Sequence, residues 1–152
     1  MACKHYSQYV ALSYKTETSK AKSINHQLLD KLFIKKKDIN FLILQNNLNE
    51  NEKSFFSAFK NVATIENLDN SLIFKDTFNI INSAKFVISI DTATTHISGY
   101  LGKKNYLLLN HPSSFYWSYN KLKSTDYQNH VIIRQKYQGD WTFAINQLIN
   151  LI

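Results

Sequence analysis

Glycine is scarce in this chain: only Gly99, Gly102 and Gly139 occur in 152 residues. Neither a Walker phosphate loop nor a dinucleotide-binding glycine fingerprint can be assembled from three such positions, which excludes ATPases and NAD enzymes of those types. A single cysteine, Cys3, rules out an intramolecular disulfide and fits a reducing compartment. Pro112 is the only proline and Arg134 the only arginine, so nearly all the positive charge is lysine ammonium rather than forked guanidinium. No stretch approaches the roughly 20 apolar residues of a membrane span. The start, Met-Ala-Cys-Lys-His-Tyr-Ser, lacks the apolar core of a signal peptide, and a cytoplasmic setting is expected.

What is present is a chain 44% hydrophobic and 14% aromatic, enough for a real core and one domain. The formal charge of +7 favours anionic partners without naming them. The organising stretch is Lys85 to Gly102. Phe86 to Ile90 is a short β-branched run, as in a strand covered on both faces, and it turns at once into a helix. Asp91 and Thr92 are cap residues, Ala93 is small, Ile97, Tyr100 and Leu101 follow at helical spacing, and Gly102 ends the helix. A strand that runs directly into a helix puts unpaired N–H groups and the positive end of the helix dipole where open α/β sheets bind ligands. An anion belongs there.

The remaining chain repeats that alternation. Tyr9 to Ser13, Ile39 to Leu44, Val62 to Ile65, Asn105 to Leu109 and Val131 to Gln135 read as further buried strands. Between them lie helical segments: one capped by Ser23 and carrying Ile24, Leu28, Leu32 and Phe33, one with Phe55, Phe56 and Phe59 inward, one capped by Asp76, and a last one bearing Trp141, Ile145, Leu148, Ile149 and Ile152. The order predicts an α/β fold, a doubly wound, mostly parallel sheet, with the loops after Ser13, Leu44, Ile90 and Leu109 opening on one edge.

On that edge, the N–H groups of Thr92, Ala93 and Thr94 would face a phosphate, or else Asp91 caps its own helix and fills the anion's place. His96 shares the helix face of Thr92 and points either to a ligand or into the structure. Lys15, Lys20 and Lys22 lie in the loop after the first strand, where a lysine can neutralise a diphosphate or simply be solvated. The five histidines are scattered and no thiolate pair exists, so no metal is expected. Phe115, Tyr116, Trp117 and Tyr119 form either a ligand wall or the plug of a small core.

Phe86-Val-Ile-Ser-Ile-Asp-Thr-Ala-Thr-Thr-His-Ile-Ser-Gly-Tyr-Leu-Gly-Lys103 resembles the signature of the carboxyl-terminal domain of glycosyltransferase family 9, the ADP-heptose-dependent heptosyltransferases, and is closest to their relatives fused to tetratricopeptide repeats. Val10-Ala-Leu-Ser-Tyr, Tyr116-Trp117, Arg134-Gln135 and Gly139-Asp140-Trp141 follow in the family's order. The resemblance implies a single Rossmann-like nucleotide-sugar-binding domain over residues 1–152, the donor-binding half of a GT-B glycosyltransferase without the amino-terminal acceptor domain. It implies a donor diphosphate over Thr92 and Ala93, Asp91 near the sugar, His96 supporting the loop, and Lys22 on the phosphate, with Lys15 and Lys20 in competition. No cofactor is implied; the nucleotide sugar, ADP-heptose for the named enzymes, is a substrate.

Glycosyl transfer to a bacterial surface glycan, or to another acceptor, is then expected once an acceptor-binding domain or partner chain completes the site, with peripheral membrane contact left open. Two other readings stand beside it. One is a non-catalytic interaction module that keeps the fold and uses Phe115 to Tyr119 as its contact surface. The other, a nucleic-acid binder, is disfavoured because the lysines are spread along the chain rather than collected on one element.

Overall fold

The computed structural model describes residues 8–65, 74–117 and 122–152. Six strands are short and, in the interior, unbroken by charge: β1 Val10–Ser13, β2 Phe41–Ile43, β3 Val62–Thr64, β4 Val87–Ile90, β5 Asn105–Leu109 and β6 His130–Arg134. They form one all-parallel sheet in the order β3-β2-β1-β4-β5-β6. The helices are α1 Asp30–Lys35, α2 Glu50–Ser57, α3 Lys75–Ser83, α4 Ala93–Tyr100 and α5 Thr142–Leu151. The expected doubly wound α/β architecture is the one observed. The chain leaves β1 in one direction along the sheet and returns to place β4 on its other side, so the crevice at the carboxyl ends of β1 and β4 is the switch point of the topology.

Period-two alternation divides each strand between two cores. Val10, Leu12, Ile88, Ile90, Tyr106, Leu108 and Ile133 face α1, α2 and α5, whose Phe33, Phe56 and Leu148 they meet. Ala11 and Val87 face Ile81 of α3, while Leu107, Leu109 and Ile132 pack against Trp117. The first core is aromatic in its centre: Phe33 meets Phe41, Phe56 and Phe59 edge to face at 5.2, 6.2 and 5.1 Å.

Three helix starts differ from the sequence expectation. Ser23 does not cap a helix; its hydroxyl accepts from Thr16 N at 2.9 Å inside the loop, and Asn25 caps a 3-10 turn, His26–Leu29, that leads into α1. Asp76 lies within the first turn of α3, whose cap position is Phe74 in the left-handed region at φ 49. Asp91 does not cap α4 either. Thr92 takes that position without any side-chain cap bond.

Candidate functional site

The site is built from the turn between β4 and α4. Thr95 Oγ1 donates to Ile90 O at 2.7 Å, tying the first turn of α4 back to the last residue of β4. With that hydroxyl committed, Ser89 Oγ donates to Thr95 Oγ1 at 2.7 Å and accepts from Asn105 Nδ2 at 2.9 Å. His130 Nε2 lies 3.0 Å from Thr95 O, and because a carbonyl only accepts, this nitrogen carries the proton. The other ring nitrogen, Nδ1, is buried without a hydrogen-bond partner among the described residues. Burial holds the His130 pKa below the ordinary histidine range, the Thr95 carbonyl opposes that shift, and neighbouring His96 adds to it. A neutral imidazole therefore supports α4 from beneath.

Of the apolar stripe expected for α4, Ile97 and Leu101 are half-buried against the core, while the side chains that the helix buries fully are polar. The residues it buries are Thr94, Thr95 and Ser98, while Tyr100 is 82% exposed. Hydroxyls that bond the sheet locally supplement that apolar packing, and directional bonds fix the helix start more tightly than non-directional contact does.

The clamp leaves the N–H groups of Thr92, Ala93 and Thr94 at the head of α4, with Ala93 exposed and carrying only a methyl group. Thr95 N already bonds Thr92 O at 3.0 Å. The carboxylate of Asp91 accepts from Lys22 Nζ at 2.7 Å. Lys22 reaches it because its loop is folded back on β1: Ile24 N donates to Tyr14 O at 2.8 Å, Ser23 Oγ to Ser19 O at 3.3 Å, and Trp141 Nε1 to Ser23 O at 3.0 Å. The pair keeps partial access to water, with the Lys22 side chain 33% exposed and that of Asp91 12%.

Lys15 lies elsewhere. Its Nζ grips both oxygens of Glu52 at 2.8 and 2.7 Å, and Tyr14 donates its hydroxyl to the same carboxylate at 2.7 Å. Glu52 also completes a capping box with Asn49 at the start of α2. Burial works against ionisation of Glu52, but the bonds from Lys15, Tyr14 and Asn49 and the lysine charge outweigh it and hold its carboxyl below the usual range. Burial first, then the bond to Glu52 and its charge, push the Tyr14 phenol well above its normal value. Sequence reasoning missed Glu52. The Asn-x-x-Glu spacing from Asn49 was the available signal, and it marked a helix start rather than a partner for Lys15.

His96 is exposed and meets the aromatic loop rather than Lys22 or Asp91. Its Nδ1 lies 3.1 Å from Tyr127 Oη, and its ring stacks on Trp117 at 5.6 Å. Trp117 in turn stacks over His130 at 6.3 Å, so the indole is held between two imidazoles. Trp117 is only 2% exposed and belongs to the core, which removes it from any contact surface; Phe115, 94% exposed, and Tyr116 remain available, and Tyr119 lies outside the described residues. Arg134 anchors this loop from β6 through Ser113 Oγ at 2.6 Å and Trp117 O at 2.8 Å.

Among the described residues, no helix is long and apolar enough to cross a membrane and no group of three potential metal ligands is assembled. No protein-family model matches the chain, and no curated protein matches it. Solved structures do. E. coli heptosyltransferase WaaC with ADP aligns over 95% of this chain and 44% of its own, with a TM-score of 0.67 and 17% identity. The same enzyme with ADP-2-deoxy-2-fluoro heptose gives 0.65 and 18% over the same shares. E. coli ADP-heptose LPS heptosyltransferase II gives 0.62 and 12%, over 95% and 47%. The fold is heptosyltransferase-like, and the chain spans under half the length of those proteins.

Proposed function

We propose that this chain binds the diphosphate of a nucleotide sugar at the head of α4 and serves as the donor half of a glycosyltransferase. The observation that carries the reading is the Lys22–Asp91 pair, 2.7 Å apart, beside helix N–H groups that no partner claims among the described residues, at the switch point of the sheet. An isolated Asp91 would repel a diphosphate from those N–H groups. Lys22 cancels that charge in the resting protein and is near enough to move onto phosphate oxygen, which frees Asp91 to accept hydrogen bonds from sugar hydroxyls. Lys15 is committed to Glu52, and of the other two loop lysines, Lys20 and Lys22, it is Lys22 that lies against Asp91 and is assigned here to the phosphate.

The catalytic contribution is electrostatic. As the bond between sugar and diphosphate breaks, negative charge grows on the departing nucleotide, and oriented N–H dipoles with one ammonium stabilise it most at that point. His96 holds the aromatic loop beside the site. The acceptor site and the base that activates the acceptor lie, on this reading, in another domain or a partner chain. That the solved neighbours hold ADP or an ADP-linked fluoro-heptose makes an adenosine diphosphate sugar the first donor to test.

The test is a thermal-shift titration with ADP, UDP, GDP and ADP-heptose on the natural chain, Asp91→Ala and Lys22→Ala. A nucleotide that binds the folded state raises Tm, by a stabilisation of about 2.7 kcal/mol at a hundred times its Kd, and Lys22→Ala removes that shift. No shift with any of the four overturns the reading. A second reading, a protein-contact surface on the aromatic loop, rests on Phe115, and it predicts partner capture that Phe115→Ser abolishes without any nucleotide effect.

A further inference from the structure

The lysines that are dispersed in sequence are gathered by the fold. In an all-parallel sheet every connection from a helix to the next strand lies on the amino-terminal edge, opposite the candidate donor site. Lys35, Lys36 and Lys37 close α1 ahead of β2, Lys60 precedes β3, Lys85 precedes β4, and Lys103 and Lys104 precede β5. Asp38 is the only carboxylate in those four connections, and the described part of the connection into β6 carries one charge of each sign, Lys123 and Asp126. The carboxyl edge is mixed by contrast, with Lys15, Lys20, Lys22 and Lys136 set against Glu17, Glu52, Asp91 and Asp140.

Part of this charge serves the fold. Lys36 Nζ donates to Ile152 O and Lys103 Nζ to Ala84 O at 2.9 Å, satisfying carbonyls at helix ends, and Lys104 lies 4.8 Å over the Tyr106 ring. Lys35, Lys37, Lys60 and Lys85 are exposed, and none has an ion-pair or hydrogen-bond partner among the described residues. Among them stand exposed side chains of another kind: Ile34 in the last turn of α1, Leu151 at the end of α5, and Tyr100 at the end of α4, which are 62%, 48% and 82% exposed.

We infer that the amino-terminal edge docks on an anionic lipid bilayer, with the lysines over the headgroups and Ile34, Leu151 and Tyr100 at the acyl boundary. The row of six strand starts is roughly 24 Å wide and offers a plane, not a groove. Lysine near an anionic surface is attracted without needing a specific geometry, and aliphatic side chains between ammonium groups add the apolar insertion that a nucleic acid cannot use. Base and phosphate recognition prefers the guanidinium fork. The sole arginine, Arg134, stands at the other edge and is bound to Ser113 and Trp117. The donor site would then open away from the bilayer, separated from it by the strand length, on the order of 15 Å. This inference is independent of what the donor site binds.

Flotation with phosphatidylcholine vesicles, with and without phosphatidylglycerol, tests it. The chain should float only with the anionic vesicles and be released by salt. Lys35→Ala/Lys37→Ala/Lys60→Ala should weaken partitioning by on the order of 10²-fold, about fivefold per lysine. Lys53→Ala/Lys75→Ala/Lys136→Ala removes the same charge from exposed positions on the opposite edge and should change it by no more than a few fold. Ile34→Ser should weaken it at every salt concentration. All seven positions are exposed, and a melting curve for each variant confirms the fold. Equal losses in the two triple variants, absence of flotation by the natural chain, or tighter binding of an oligonucleotide through the same lysines would each overturn the inference.

Discussion

The two faces of the sheet are held by different chemistry. On one, α1, α2 and α5 close over Phe33, Phe41 and Phe56, where stability comes from apolar area and edge-to-face rings. On the other, the apolar clusters around Ile81 and Trp117 are joined by a buried network of directional bonds that ties Thr95 of α4 to Ser89, Asn105 and His130. Apolar packing tolerates small shifts of a helix. A chain of hydrogen bonds running from β4 through Thr95 to β5 and β6 does not, and it is this face that aims the N–H groups of α4. The aromatic core and the network that fixes the site geometry thus lie on opposite sides of one sheet.

Substitutions on each face should separate those roles. Phe33→Ala empties the centre of the aromatic core and should cost about 3–5 kcal/mol in chemical denaturation. At temperatures where the variant is folded, its nucleotide response should equal that of the natural chain, and a changed response would break the division of labour between the faces. Gly99→Ala acts on the other face. A methyl group there would lie 2.4 Å from the Tyr127 ring, so either Tyr127, with the His96 contact it makes, or α4 must move. The expected loss is about 1–3 kcal/mol, smaller than for Phe33→Ala, together with a weakened nucleotide-dependent Tm shift.

The smallest effect concerns pH. His130 has a lowered pKa in the folded state, so below the unfolded histidine value of about 6.5 the unfolded chain binds the extra proton first. Stability is complete above that pH and declines as pH falls towards the folded value, at no more than about 1.4 kcal/mol per pH unit for one proton. Glu52, a carboxyl with a lowered pKa, makes its own contribution only at lower pH, through the ordinary carboxyl range. Melting curves between those ranges should therefore show a slope in the natural chain and a flatter line in His130→Gln. The same slope in both would remove His130 as its source.

Much of the architecture was legible from the residues. Short β-branched runs between amphipathic segments specify parallel strands and crossover helices, because strands buried on both faces leave no polar alternation. Phe86 to Asp91 therefore located β4 and the turn that follows it. The caps at Ser23 and Asp76 were misplaced because a hydroxyl or carboxylate suits several local roles, and Ser23 found its partners in Thr16 and Ser19. The polar underside of α4 was hidden for a related reason: nothing local marks Thr95 and Ser98 as buried until Ser89 and His130, from β4 and β6, bond Thr95, and Ser98 closes on the Thr95 carbonyl.

The sequence by itself determined the fold class, the strand that leads into α4 and the set of residues at its head, since periodicity and cap chemistry act over neighbouring residues. Only the tertiary structure decided which lysine serves which carboxylate. Lys15 and Lys22 are seven positions apart in one loop, and the loop's return onto Tyr14 sends one to Glu52 and the other to Asp91. It also decided where the net charge lies. Parallel topology collects every helix-to-strand connection on one edge, so lysines scattered along the chain become a single cationic surface opposite the candidate site.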